Sequence, residues 1–108
     1  MESTAQILKR LIDTSTVAVL QIRTAKGVLS VEARFLKEGN REGDRGIWVR
    51  LAGGGSDFIE KMIESAAPVL AQADDGPRRL TFVSSFIARK RGLISGEQVL
   101  LAWPGEIK

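Results

Sequence analysis

The sequence predicts a mainly β fold: a small six-stranded antiparallel split barrel with an N-terminal helix and one short helix between strands 3 and 4. Three observations predict it. Short segments alternate apolar and polar residues, as strands buried on one face do. Turns rich in Gly, Asp and Pro separate these segments at close intervals. Apolar residues recur at helical spacing in only two places, and the 108 residues fit a single domain spanning 1–108.

Two helices are predicted. The first covers residues 3–13, where Ser3 or Thr4 is suited to cap the N-terminus. The second covers roughly 57–66, where Asp57 and Glu60 have the spacing of a capping box. Both segments carry one apolar face, formed by Ile7, Leu8, Leu11 and Ile12 in the first and by Phe58, Ile59, Met62 and Ile63 in the second.

The strands are predicted from β-branched, alternating segments bounded by turn residues. The first three should form a meander. In the second strand, Val31, Ala33 and Phe35 are expected to face the core. Residues Glu38–Arg45 are predicted to be a solvated loop, and Arg89–Gly92 to interrupt the sheet. The predicted strands are 16–23, 28–36, 46–51, 69–72, 78–88 and 97–103.

Composition bears directly on catalysis. The chain has no histidine, cysteine or tyrosine. Ser-His and Cys-His nucleophiles both require histidine, and thiolate chemistry and zinc–sulfur sites require cysteine. We therefore expect no enzyme, no catalytic residue, no metal and no cofactor. The acidic N-terminus and the absence of a long apolar run predict a cytoplasmic protein without a membrane partner.

Two local motifs suggest anion binding only weakly. Gly53-Gly54-Gly55 precedes a helix, as in phosphate cradles, but no P-loop lysine accompanies it, so a connector is the better interpretation. Arg41 and Arg45 have the spacing of a cyclic-dinucleotide arginine pair. Glu42 and Asp44 lie between them and oppose anion binding, so we interpret the match as coincidence.

The net charge of +3 is mildly basic. Basic residues cluster at Lys9-Arg10, Arg78-Arg79 and Arg89-Lys90-Arg91, but aromatic residues do not alternate with them, which argues against a nucleic-acid surface. Trp48 and Trp103 are expected to pack in the core; the alternative for Trp103-Pro104 is docking onto a segment that follows. The candidates for contact with a ligand or partner are Arg78, Arg79, Arg89, Lys90, Arg91, Trp103, Pro104 and Lys108.

Four stretches carry a family resemblance: Ile7…Leu11 before the first strand, Arg34-Phe35-Leu36, Arg79 to Phe86, and Leu100 to Ile107 with its Pro-x-Glu-Ile ending. In these stretches and in the order of its elements, the chain resembles the N-terminal (PilZN) domain of YcgR-type flagellar brake proteins, which belong to the PilZ family of cyclic di-GMP receptors.

The resemblance implies a function. The chain would be the accessory N-terminal half of a longer, two-domain cyclic di-GMP receptor that regulates flagellar motility. It would pack against a following PilZ domain and present a surface to flagellar motor proteins. In that family the dinucleotide is gripped by an Arg-x-x-x-Arg pair after Pro-x-Glu-Ile, so this domain would bind it only indirectly.

Two other functions remain open at this stage. A nucleic-acid-binding small β-barrel would need Arg78, Arg79, Arg89, Lys90 and Arg91 on one face. A flavin-binding split barrel would hold its cofactor with backbone groups and arginine.

Overall fold

A computed structural model describes residues 2–53, 55–92 and 96–108. Within these residues the fold is mainly β, with two helices and seven strands, all paired antiparallel. No helix of the described chain is long and apolar enough to cross a membrane. The elements are α1 (Thr4–Asp13), β1 (Val17–Thr24), β2 (Gly27–Arg41), β3 (Asp44–Leu51), α2 (Gly55–Ser65), β4 (Val69–Asp75), β5 (Arg78–Ser84), β6 (Phe86–Gly92) and β7 (Gly96–Ala102).

The strands form one sheet in the order β5-β4-β1-β2-β3-β7-β6. The predicted meander of the first three strands is confirmed. Because β5 and β6 are consecutive in the chain yet lie at opposite ends of this order, the sheet curls round as a half-barrel. The mainly β class and the placement of the second helix between the third and fourth strands are therefore confirmed.

The predicted number of six strands is wrong, because the strand predicted over 78–88 is two strands that meet at Ser85. The Ser84 hydroxyl donates a hydrogen bond to the Ala102 carbonyl at 2.6 Å. The Ala102 N–H donates to the Ser85 carbonyl at 2.8 Å. These bonds transfer the chain from its pairing with β4 to a pairing with β7, and nothing in the apolar alternation marks that change of partner.

The loop predicted over Glu38–Arg45 is also wrong, since β2 continues to Arg41 and β3 begins at Asp44. Only Glu42 and Gly43 form the turn, both with positive φ. A hairpin satisfies its backbone by cross-strand pairing, so polar residues can extend it without a buried face. For the same reason the predicted interruption at 89–92 is strand, paired with β7.

The helices match their predictions more closely. Ser3 caps α1 and forms a capping box with Gln6, whose side chain accepts the Ser3 N–H at 2.8 Å. The second helix begins at Gly55, two residues before the predicted start, which places Asp57 in the first turn. Gly55 is buried, and a Cβ there would lie 2.6 Å from the Leu51 Cβ, so close packing explains this glycine.

The core lies between the inner face of the curled sheet and the two helices. Phe35 on β2 is 1% exposed, and its ring centroid lies 6.3 Å from that of Phe82 on β5. The predicted inward residues Ala33, Leu80 and Ser84 are buried as well. The helices contribute Ile7, Leu8 and Leu11 from α1 and Phe58, Ile59 and Met62 from α2.

Candidate functional site

The eight predicted contact residues do not form one site. Arg78 and Arg79 begin β5, and Arg89, Lys90 and Arg91 lie in β6. Four of these five cations are ion-paired: Arg78 belongs to one ion-pair group, Arg89 and Arg91 share a second, and Arg79 pairs separately with Asp74. Lys90 has no ion pair among the described residues. Successive residues of a strand point to opposite faces, so Lys90 does not share a face with Arg89 and Arg91 in β6. The predicted nucleic-acid barrel required all five cations on one face, and the described residues do not have that arrangement.

The first ion-pair group joins the N-terminus to the turn between β4 and β5. The Arg10 Nε donates to Asp75 Oδ1 at 2.9 Å, and Arg78 Nη2 donates to Asp75 Oδ2 at 2.8 Å. Both arginines also pair with Glu2. Hydrogen bonds from Arg10, then from Arg78, lower the pKa of Asp75 from 3.8 to about 2. Arg78 is thus engaged in contacts within the fold, whereas Arg79 forms a separate, exposed pair with Asp74 at 3.3 Å.

This group predicts a pH dependence of stability. The folded-state pKa of Asp75 lies below its ordinary value, so the stability it contributes is present above pH 3.8 and lost as pH falls toward about 2. We expect the melting temperature of the wild type to fall more than that of Asp75→Asn across this interval. Thermal melts followed by circular dichroism between these pH values would check it, and parallel curves for the two proteins would contradict it.

The second ion-pair group is centred on Glu97 of β7, whose side chain is 13% exposed. Burial raises the pKa of Glu97, but hydrogen bonds from Arg91, Ser56 and Arg89 together bring it below its ordinary value. Arg91 Nε donates to Glu97 Oε1 at 2.6 Å, and Ser56 Oγ donates to the same oxygen at 3.0 Å. The group thereby ties α2 to β6 and β7, so Arg89 and Arg91 are already satisfied within the fold.

The C-terminal segment, residues 103–108, folds back onto the domain. Trp103 donates its backbone N–H to the Arg45 carbonyl at 3.0 Å, and the Arg45 guanidinium lies 3.6 Å from the centroid of the indole ring. Pro104 is buried. Lys108 exchanges two backbone hydrogen bonds with Thr81, of 2.8 and 2.9 Å, at the outer edge of β5. Trp103 and Pro104 therefore dock onto this domain itself.

Arg45, which the sequence analysis considered for cyclic-dinucleotide binding, is engaged by the same contacts. Its Nε also pairs with Glu38, so the residue is committed to the β2–β3 hairpin and to Trp103. Arg41 lies across the hairpin turn at the end of β2. Of the predicted Gly53-Gly54-Gly55 connector, Gly54 lies outside the described residues.

A set of cations, of which the sequence analysis named only Lys90 as a contact candidate, lies on the outer face of four adjacent strands. Arg34 on β2 is directly opposite Arg50 on β3, Arg50 is opposite Gln98 on β7, and Gln98 is opposite Lys90 on β6. Beside this row, Lys37 is opposite Trp48. We call Arg34, Lys37, Arg50 and Lys90 the outer cationic face.

The outer cationic face has a shallow depression of about 170 Å³ at one end, between Arg34 and Arg50. Glu32, the nearest acid in the strand, also lines it. Arg34 Nη1 donates to the Ser15 carbonyl at 2.8 Å. This bond does not use the Nε–H and Nη2–H donors of Arg34. In the sequence, only the alternation of Glu32 and Arg34 pointed to this face. That Arg34 lies in one row with Arg50 and Lys90 is known only from the pairing of the strands.

Comparisons with known proteins do not assign the chain to a family. No family model matches the chain, and no curated protein or solved structure shows significant similarity to it.

Proposed function

We propose that this chain is a cytoplasmic, non-catalytic accessory domain that relays a cyclic di-GMP signal. It packs against a following PilZ domain, its partners are flagellar motor proteins, and it contacts the dinucleotide only through the segment that follows Pro-x-Glu-Ile. We further propose that the chain is a PilZN-type domain, as the family resemblance implies, and that its curled sheet belongs to a split barrel.

One observation supports this proposal above the others: residues 103–108 are attached both to the β2–β3 hairpin and to the outer edge of β5. Trp103 is held by Arg45 of the β2–β3 hairpin, and Lys108 is paired with Thr81 of β5. A displacement of this segment by a ligand bound next to it would therefore move the β5 edge and the hairpin together. A domain with such a coupled segment is suited to relaying a signal rather than to catalysis.

The direction in which the chain passes β5 at Lys108 is consistent with a following domain beside this strand. Thr81 and Lys108 exchange hydrogen bonds in both directions, which is the antiparallel pattern. Residues attached after Lys108 would run along β5 toward Arg79. A PilZ domain joined there would begin beside the N-terminal end of β5.

The first test is the coding sequence after Lys108. The proposal expects an Arg-x-x-x-Arg pair soon after it and an Asp/Asn-x-Ser-x-x-Gly motif further on. In the complete native protein, cyclic di-GMP should change hydrogen exchange in residues 79–83 and 103–108. A stop codon after Lys108, or unchanged exchange in both segments, would contradict the proposal.

A variant separates relay from ligand binding in the complete native protein. Thr81→Pro removes the N–H that donates to the Lys108 carbonyl at 2.8 Å. We expect it to retain cyclic di-GMP affinity, measured by calorimetry, and to lose the ligand-induced exchange change in β5. Thr81→Val keeps the backbone bond and is the matched control. Equal responses of Thr81→Pro and wild type would show that this contact relays nothing.

A further inference from the structure

The ion pairs divide the basic residues of the described chain into two classes. The cations of the predicted basic clusters are largely neutralised: Arg10, Arg78, Arg79, Arg89 and Arg91 each lie within 4.0 Å of a carboxylate. Within residues 2–53, 55–92 and 96–108, no carboxylate lies within that distance of the outer cationic face. The remaining residues of the chain are not acidic.

The register makes this face electrostatically unfavourable on its own. Arg34 and Arg50 are direct cross-strand neighbours, and like charges in that position destabilise a sheet. Glu32 lies two residues before Arg34 and offsets part of the repulsion, without an ion pair to either arginine among the described contacts. Bound anions would remove the repulsion, which is the physical reason to expect a ligand here.

The spacing of the row indicates a ligand with repeated negative charges. Arg34 and Lys90 are three strands apart, which is about 14 Å at about 4.8 Å per strand. Gln98 lies between Arg50 and Lys90 and supplies a neutral donor and acceptor. A chain of phosphodiesters laid across the strands would meet these groups in succession.

Trp48 narrows the class of ligand. It is half-buried on the same outer face, in the row next to Arg50, and a Cβ at Gly39 would lie 2.5 Å from its indole Nε1. The absence of a side chain at Gly39 thus leaves room for the indole close to β2. Aromatic side chains next to a cationic groove stack nucleobases in single-stranded nucleic-acid sites.

We propose that the outer cationic face, with Trp48, is a binding site for single-stranded nucleic acid. Arg34, Arg50 and Lys90 contact phosphates along the strand. Trp48 stacks with a base. This site lies away from the C-terminal segment, so it is independent of the relay proposed above.

The test uses a fluorescein-labelled single-stranded oligouridylate of about 12 nucleotides, within the ~4–16 that one OB-fold domain covers. Fluorescence anisotropy at several KCl concentrations should show binding with a log–log salt slope of about −2, from about −0.7 for each of the three phosphates. Arg50→Gln/Lys90→Gln should weaken binding roughly tenfold and reduce the slope to about −0.7. Neither side chain has a described ion-pair partner, and Arg50→Gln relieves the repulsion from Arg34, so the melting temperature of this variant should equal or exceed that of the wild type.

The matched control is Arg23→Gln/Lys26→Gln, which removes the same charge from the β1–β2 hairpin, outside the face. It should bind the oligonucleotide as the wild type does. The proposal is overturned if the wild type shows no binding at low salt, if the Arg50/Lys90 variant binds normally, or if the control variant loses as much affinity.

A second measurement distinguishes nucleic acid from any polyanion. In a Trp103→Phe background the intrinsic fluorescence reports Trp48. Oligouridylate should quench it, whereas dextran sulfate of similar charge should not. Equal quenching by the two would overturn the assignment to nucleic acid.

Discussion

Replacing Phe35 with alanine is expected to lower the free energy of unfolding by about 3–5 kcal/mol. Phe35 is 1% exposed and packs against Phe82 across the half-barrel. Its removal loses the buried ring and leaves a cavity between β2 and β5 that these strands cannot close. Since a domain of this size is stable by about 5–15 kcal/mol, the loss is a large fraction of the total.

Urea denaturation followed by tryptophan fluorescence would measure the effect of Phe35→Ala. Val83→Ala is the matched control, because Val83 is a 59% exposed strand residue and should change stability by less than about 0.5 kcal/mol. Comparable values for the two variants would show that Phe35 is not central to the core.

Gly46→Ala is expected to destabilise the fold by about 1–3 kcal/mol, or more, through overpacking. A Cβ at this position would clash with the Leu101 carbonyl oxygen of β7 and lie 2.9 Å from the Leu100 Cδ1. The side chain of Leu100 can adjust, but the carbonyl belongs to the backbone of a paired strand. Relief therefore requires β3 and β7 to separate at the end of their ladder.

The same urea titration would measure Gly46→Ala. Gly53→Ala is its control, since nothing lies within 4 Å of a Cβ there and its φ is not positive. We expect the control to remain close to the wild type. A Gly46→Ala protein as stable as the control would show that β7 yields at this contact.

The local elements follow from the sequence because their signals are local. The capping box of Ser3 and the apolar face of α1 lie within one helix. The turn predicted over Asp74–Pro77 is present but shorter, since β4 continues to Asp75 and only Gly76 and Pro77 separate it from β5. The alternation of Ala33 and Phe35 against Glu32 and Arg34 likewise depends only on the two-residue period of a strand.

The misassigned segments depend on contacts that the sequence does not display. At Ser85 the chain exchanges β4 for β7 as its neighbour, and the hydrogen bond that makes the exchange comes from Ala102, far along the chain. At Glu38–Arg45, polar residues suggested a loop because a hairpin that extends beyond the core has no apolar pattern.

The candidate contact residues also combine a pattern that the sequence displays with contacts that it does not. Basic runs such as Arg89-Lys90-Arg91 are visible in the sequence, yet strand alternation sends Arg89 and Arg91 to Glu97 and Lys90 to the opposite face. Charge density along the chain is thus a poor guide to charge density in space, because carboxylates on neighbouring strands neutralise some cations and leave others without a partner.

The sequence by itself determined the mainly β class, the two helices and the inward faces of several strands, since these arise from propensities and periods read over a few residues. Only the tertiary structure decided the seventh strand, the docking of Trp103 and Pro104 on the domain, and the row that joins Arg34, Arg50 and Lys90. Those features are set by register between strands distant in the chain, where a shift of one residue would send each side chain to the other face.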